Sequence, residues 1–472
     1  MNDIGDQKMH QHAISLKNVS LAVSIFLLLV LSSLLISPSN DPARPLPPST
    51  PDAATRWQNP QQWNQFRLDN NNSGAPLDRN IPKDTFLWKF ETDGPVQSSA
   101  VVVDYRVYFG SNDFNVYCVD ADNGENIWNF TTGNTVCATP LVSGGRVYIG
   151  SNDRNIYCLD SGNGSVIWNR TVGFGISSSC KEFQERIYFG CDDGQVYCFW
   201  ENGTQAWNYT LSQKRTQMWS TPAISDGYVY IGAQSKRLVC LDALTGGFVF
   251  DITSSDGDIY SSVCVSGDKI YFTNGLGNTL LCYNSKTGQK IWAFSTPAGT
   301  VGNTYTSPTV HDGRVYISDY KWVYCLPQND TNGDKVLSES DVIWKYGIEN
   351  NQGGSSPTVV NGRVLIGTQN SLLCLFENGT KDWEYLTGDV IVSSPTFVNV
   401  HLYFGCNDYF MYALHGIEVN DTPPQNVTPP SDDDQPLDLY PTITIPLIIF
   451  FVLDIAIFVV IMVVWRKKKG VK

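Results

Sequence analysis

Histidine is scarce in this chain: five in 472 residues, with His10 and His12 both near the start. That scarcity argues against a histidine-built metal centre or a nucleophile–His–Asp triad. Positive charge is also short, 32 Lys and Arg against 46 Asp and Glu, a formal net charge of −14. A surface of that sign repels phosphate backbones and excludes nucleic acid as a partner. Twelve cysteines are present, yet no two are adjacent.

What the chain has instead is repetition. Cys118-Val-Asp120-Ala-Asp-Asn-Gly124-Glu-Asn-Ile-Trp128 reads C-x-D-x-x-x-G-x-x-x-W, and the pattern returns at Cys158 to Trp168, at Cys240 to Phe250 and at Cys282 to Trp292. Shortened copies run from Cys198 to Trp207 and from Cys374 to Trp383, and a copy enlarged by an insertion runs from Cys325 to Trp344. Each copy follows strand signals in a fixed order: a Ser/Thr-Pro run (strand A), a Val-Tyr-x-Gly run (B), the Tyr-Cys-Leu-Asp start of the motif (C) and the Trp-bearing run (D). Four short strands divided by Gly, Asn and Asp turns make one propeller blade. Length alone suggests about three domains, but a ring of repeats absorbs most of the chain in one. The indole of strand D is expected to wedge between neighbouring sheets where it faces a small residue, the Cys that starts the motif.

At these residues the chain resembles the pyrroloquinoline-quinone-like propeller repeat family, whose tryptophan-docking motif reads A-x-D-x-x-T-G-x-x-x-W. The resemblance covers roughly residues 57 to 415, with Cys in place of Ala and Thr kept at position six only in Thr245 and Thr287. It implies an all-β, eight-bladed propeller and either of two activities: a quinone-dependent alcohol or sugar dehydrogenase, or a non-catalytic binding protein of the BamB type. The dehydrogenase branch implies a calcium held by carboxylates and amides beside the quinone, an Asp base and a disulfide between adjacent cysteines. That last feature is missing. Strand A carries no carboxylate, although Asp93, Asp258 and Asp389 just precede it and Lys214-Arg215 are nearby. Bound pyrroloquinoline quinone is therefore not expected, though Trp219 offers an aromatic floor.

The ring should close by a composite blade. Residues 57 to 73 look like a lead-in, and Phe86-Leu-Trp88-Lys-Phe90 has the sequence of a strand D with no A to C before it. Residues 393 to 414 supply A, B and C and then stop without a Trp strand. Joined, the fragments remove an open edge.

Beyond the ring, Val19 to Ser37 is an uncharged apolar stretch long enough to span a bilayer and reads as an uncleaved signal anchor. A second span, residues 440 to 465, ends at Trp465 and is followed by Arg466-Lys-Lys-Lys469, which puts the C-terminus in the cytoplasm. The expected order is a cytoplasmic tail (1–18), transmembrane anchor (19–37), linker (38–56), propeller (57–415), acidic Pro-rich linker (416–439), transmembrane helix (440–465) and basic cytoplasmic tail (466–472). The propeller then lies outside the membrane. Asn-x-Ser/Thr triplets at Asn129, Asn163, Asn169, Asn202, Asn208 and Asn378 fit a glycoprotein. Seven cysteines, Cys118, Cys158, Cys198, Cys240, Cys282, Cys325 and Cys374, repeat with the blades, so each sits in a different sheet, beyond disulfide reach. Pairing among the other five stays open.

Two candidate sites emerge. In the insertion, Asp330, Asn332, Asp334, Val336, Ser338 and Asp341 stand at the donor spacing of an EF-hand calcium loop, with Val336 giving its carbonyl and Lys335 where glycine is usual. The residue before each Ser/Thr pair should look into the funnel: Gln97, Cys137, Ser177, Trp219, Tyr260, Tyr305, Gly354 and Val392. Trp219, Tyr260 and Tyr305 are consecutive and could form an aromatic patch for a partner. The reading is a cell-surface, membrane-anchored scaffold that binds a protein or glycan. A membrane-bound quinone-dependent oxidoreductase is the alternative, and a structural adhesion or spacer component a weaker one.

Overall fold

The computed structural model describes residues 62–212, 215–255, 257–275, 279–296, 306–348 and 354–419. Tyr305, both expected membrane spans and both linkers apart from residues 416–419 lie outside those residues. Among the described residues no helix is long and apolar enough to cross a membrane.

Alternating patterns and tight turns produce eight sheets, each of four antiparallel strands, one of which gains a fifth, parallel strand. In blade 1 the strands are Val101–Val103, Arg106–Gly110, Asn115–Asp120 and Asn126–Thr131, hydrogen-bonded in that order. Strands B and C read as buried runs because neighbouring sheets cover both faces, whereas strand D alternates exposed and buried. The eighth sheet is composite, as expected: the strand Ile81–Glu91 pairs with Phe410–Ile417, and Trp88 stands opposite Ala413.

Blades adhere through the tryptophans. Cys118 is the cross-strand partner of Trp128, as the repeat implied, but the surface on which the indole lies is the motif glycine of the next blade. A Cβ added to Gly164 would meet Trp128 at 2.6 Å, and Gly203, Gly246 and Gly379 stand in the same relation to Trp168, Trp207 and Trp344. These glycines also have positive φ, between 70° and 86°, so both sterics and backbone exclude a side chain. The docked indole N–H groups donate to backbone carbonyls of the next blade, as Trp128 does to Ser161 at 3.0 Å and Trp88 to Ala121 at 2.9 Å. The strand-B tyrosine joins it: Tyr108 lies 5.9 Å from Trp128 and donates to the same Ser161 carbonyl at 3.2 Å. In blade 4, where Phe250 replaces Trp, Tyr230 alone donates to the Ser285 carbonyl at 3.0 Å.

Around the axis the Ser/Thr pairs do two jobs. The first hydroxyl accepts from its own strand B, as Ser393 does from Gly405 N–H at 2.8 Å. The second accepts from the N–H of the preceding blade: Ser99 N–H to Thr139, Thr139 to Ser179, Thr221 to Ser262, Ser262 to Ser307, Ser307 to Ser356, Ser356 to Ser394, and Ser394 back to Ser99. The result is a hydroxyl collar. The hydrogen-bonded part of strand A starts two residues later than the Ser/Thr signal, at Val101, because the collar residues bond across blades instead.

The lead-in is a plug. It pairs Trp63 with Val102 in blade 1 and accepts the N–H of Val142 at Asn64, of Ile224 at Asn70, of Val265 at Asn71 and of Val359 at Gly74. Arg67, fully buried, donates to the carbonyls of Ser307 and Pro308 in blade 6. Blade 3 reaches back through Lys181, whose buried ammonium donates to the carbonyls of Phe66 and Asp69 at 2.6 and 2.5 Å. Blade 8 closes the set with Asn399 N–H on the Asp78 carboxylate at 2.9 Å.

Candidate functional site

Between collar and plug lies a cup of about 700 Å³, within the size range of small-molecule sites. Phe66 of the plug lines it, so that end is blocked. The second collar hydroxyls of all eight blades contribute, and so do seven of the eight residues expected to face the funnel: Gln97, Cys137, Ser177, Trp219, Tyr260, Gly354 and Val392. The eighth, Tyr305, falls outside the described residues.

Trp219 and Tyr260 do come together, ring centroids 5.5 Å apart and tilted by 48°. Trp219 is 42% exposed, so it is not core filling. Tyr260 packs against the backbone of Gly275, where a Cβ would meet its ring at 2.7 Å.

Asp93, Asp258 and Asp389 do not line the cup, whereas Asp192 does. It sits two residues after the strand-B glycine Gly190, as Asn152, which also lines the cup, does after Gly150. That spacing was the available signal. Asp192 is buried, accepts the N–H of Met218 at 2.9 Å, and has its carboxyl raised above the usual range chiefly by burial, against the Met218 hydrogen bond and the charge of Arg215. The Arg215 guanidinium lies 3.8 Å from the centroid of Phe174, a cation–π contact. Asn134, Asn152 and Gln217 complete a polar flank. All twelve cysteines are free, and Cys137, the one that lines the cup, donates its thiol to Asn112 at 3.2 Å.

The insertion forms a separate site. Asp330 accepts the N–H groups of Asn332 and Gly333 at 3.1 Å and of Lys335 at 2.8 Å. Asn332 accepts from Asp334, and Asp334 from Val336. Lys335 adopts φ +65°, the left-handed turn for which glycine was expected. Val336–Leu337 then runs parallel to strand D of blade 5, pairing with Ala293 and Phe294, with Leu337 buried. The loop of blade 6 thereby staples blade 5. Ser338 and Asp341 are tied to each other, Ser338 N–H and Oγ both on the Asp341 carboxylate at 2.8 Å, which holds that carboxyl below its ordinary value. Among the described residues no group of three or more His, Cys, Asp or Glu converges to hold a metal ion.

Residues 75–294 match the family described as outer membrane protein assembly factor BamB. A curated relative, quinoprotein ethanol dehydrogenase of Pseudomonas aeruginosa, is 30% identical over 122 residues, 24% of this chain and 19% of that enzyme. The match thus spans about a fifth of the relative's length. BamB from Moraxella catarrhalis superposes with a TM-score of 0.58 at 16% identity, over 70% of this chain and 96% of that one. Quinohemoprotein alcohol dehydrogenase from Comamonas testosteroni gives 0.63 at 13% identity, over 75% and 80%. A computationally designed protein, Ika8, gives 0.58 at 13%, over 70% and 99%. At these identities the superpositions establish the fold. By sequence, residues 75–294 are similar to the BamB family, and by fold the described ring is similar to BamB and to quinoprotein propellers.

Proposed function

We propose that this chain is a membrane-anchored extracytoplasmic scaffold whose propeller binds a protein or glycan partner at the cup without catalysing a reaction. The carrying observation is the pairing of exposed Trp219 with half-buried Tyr260 in a cup blocked at one end, since aromatic anchors in pockets dominate binding energy. Residues 19–37 and 440–465 supply the two spans in this reading and hold residues 38–439 outside. The lining gives a calcium-bound quinone little support, since among the described residues Asp192 is its single carboxylate and Cys137 its single cysteine. The loop at 330–341 is assigned in this reading to a structural Ca²⁺, held by Asp330, Asn332, Asp334, the Val336 carbonyl, Ser338 and Asp341, that braces blades 5 and 6.

The test compares the full-length protein with a Trp219→Ala/Tyr260→Ala variant. Crosslinked capture from a surface extract should be lost in the variant while its melting temperature stays the same. An unfolded variant would mean that the pair is structural. One observation favours the second reading, a quinone-dependent oxidoreductase: Asp192, Arg215 and Trp219 line one cavity and are of the residue types that bind and activate such cofactors. Saturable binding of pyrroloquinoline quinone with calcium-dependent dye reduction by alcohols would establish that reading and displace the scaffold.

A further inference from the structure

Eight Asn-x-Ser/Thr triplets fall within the described residues, at Asn71, Asn129, Asn163, Asn169, Asn202, Asn208, Asn329 and Asn378. Their distribution is uneven. Five of them stand on three adjacent blades: Asn129 on blade 1, Asn163 and Asn169 on blade 2, Asn202 and Asn208 on blade 3. Blades 4 and 5 have none, and neither does blade 8. All five are exposed and sit on strand D or the turn that leads into it, the outer rim of the ring.

The turn positions present the acceptor amide in a defined way. Asn202 Oδ1 accepts both the N–H and the hydroxyl of Thr204, at 2.9 and 2.7 Å, and Asn163 Oδ1 accepts the N–H of Ser165 at 2.9 Å. The carbonyl end is thus spent in the turn, and the nitrogen, the atom that glycosylation uses, is the remaining end. The intervening Gly164 and Gly203 pack on Trp128 and Trp168, so these turns are fixed to the ring. On strand D, Thr171 donates its hydroxyl to Asn155 at 2.7 Å, and the backbone carbonyl of Asn169 accepts from the Arg170 guanidinium. A second observation comes from the same strands: Ile127, Val166 and Ile167 are 39%, 47% and 47% exposed, aliphatic surface that a carbohydrate layer would cover.

We propose that the outer rim of blades 2 and 3 is an N-glycosylated arc, with Asn163, Asn169 and Asn202 as its acceptors. The chemistry needs an external transferase and a polyprenyl-phosphate-linked oligosaccharide. The Asn amide nitrogen bonds to the sugar C1 and gives up a proton to the transferase. The C1–O bond to phosphate breaks, and the lipid phosphate leaves with the electron pair. The proposal rests on the extracytoplasmic placement given above.

The experiment maps glycopeptides by mass spectrometry on the full-length protein isolated from its native membranes, alongside protease accessibility of the propeller in intact cells. The expected result is carbohydrate on the peptides carrying Asn163, Asn169 and Asn202, with Asn71, whose backbone carbonyl is built into the plug, unmodified. Thr171→Ala should remove one gel-mobility step and Thr171→Ser should keep it. An accessible propeller whose arc peptides are all unmodified overturns the glycan arc and leaves the scaffold reading standing. An inaccessible propeller overturns both. Carbohydrate spread equally over Asn71, Asn329 and Asn378 overturns the arc.

Discussion

Gly145 and Gly164 have almost the same backbone, φ +74° and +73°, but opposite surroundings. A Cβ at Gly145 meets nothing within 4 Å, whereas at Gly164 it meets Trp128 at 2.6 and 2.8 Å. Gly145→Ala should therefore be destabilising by the left-handed term alone, about 1–2 kcal/mol. Gly164→Ala adds overpacking of about 1–3 kcal/mol, giving roughly 2–5 kcal/mol in all. Trp128→Ala removes the indole and its hydrogen bond to Ser161, a loss of about 3–5 kcal/mol by itself. In that background the clash is gone, so Gly164→Ala should fall back to the value of Gly145→Ala, and the cycle should show coupling of about 1–3 kcal/mol. Urea unfolding of the wild type, the three single variants and the double mutant, followed by circular dichroism, reads these differences. Equal penalties at 145 and 164, or a 164 penalty that survives without Trp128, would refute indole docking on glycine as the bond between blades.

Deleting residues 86–90 removes the strand that pairs with Phe410–Ile417; the ring should open and aggregate, and an unchanged melting temperature would sink the composite blade. If the loop at 330–341 holds calcium, chelator should lower the melting temperature by mass action, and Asp330→Ala with Asp341→Ala should abolish the difference. A chelator effect that persists in the double mutant would place any calcium elsewhere. Burial pushes the Lys181 ammonium down to about 7 from 10.5, against the charge of Asp69 and with that of Arg67. Between those values the unfolded chain holds a proton that the folded chain releases, so this group makes stability rise with pH from about 7 upward and contributes least below it. Lys181→Met should flatten that part of the stability profile, and an unaltered slope would assign it to other groups.

The repeat was legible because inter-blade docking demands Trp and Gly at one spacing, and few other arrangements do. Closure was legible for a related reason: an isolated Trp88 strand and a Trp-less final repeat each need the other. The funnel residues followed from strand A being innermost. Asp192 escaped because the B–C turn varies among Asn, Asp and Gln, so no single residue type marks it. The plug was recognised only as a lead-in, since most of its bonds use backbone carbonyls, such as those of Asn64, Asn70, Asn71 and Gly74, and backbone bonding leaves no side-chain signature. The second collar hydroxyl reads in sequence as a strand residue, and its partner is visible only across blades.

A wheel with a hub behaves differently from a plain ring. In a stack of repeats each unit feels only its neighbours, so damage stays local and stabilities add along the chain. Here residues 63–78 bond to every blade, which gives all eight a shared partner. Loosening one blade weakens the grip on the hub, and through it on the blade diametrically opposite. The propeller should accordingly melt as one unit, and a cut within 63–78 should lower the stability of distant blades as much as that of the nearest.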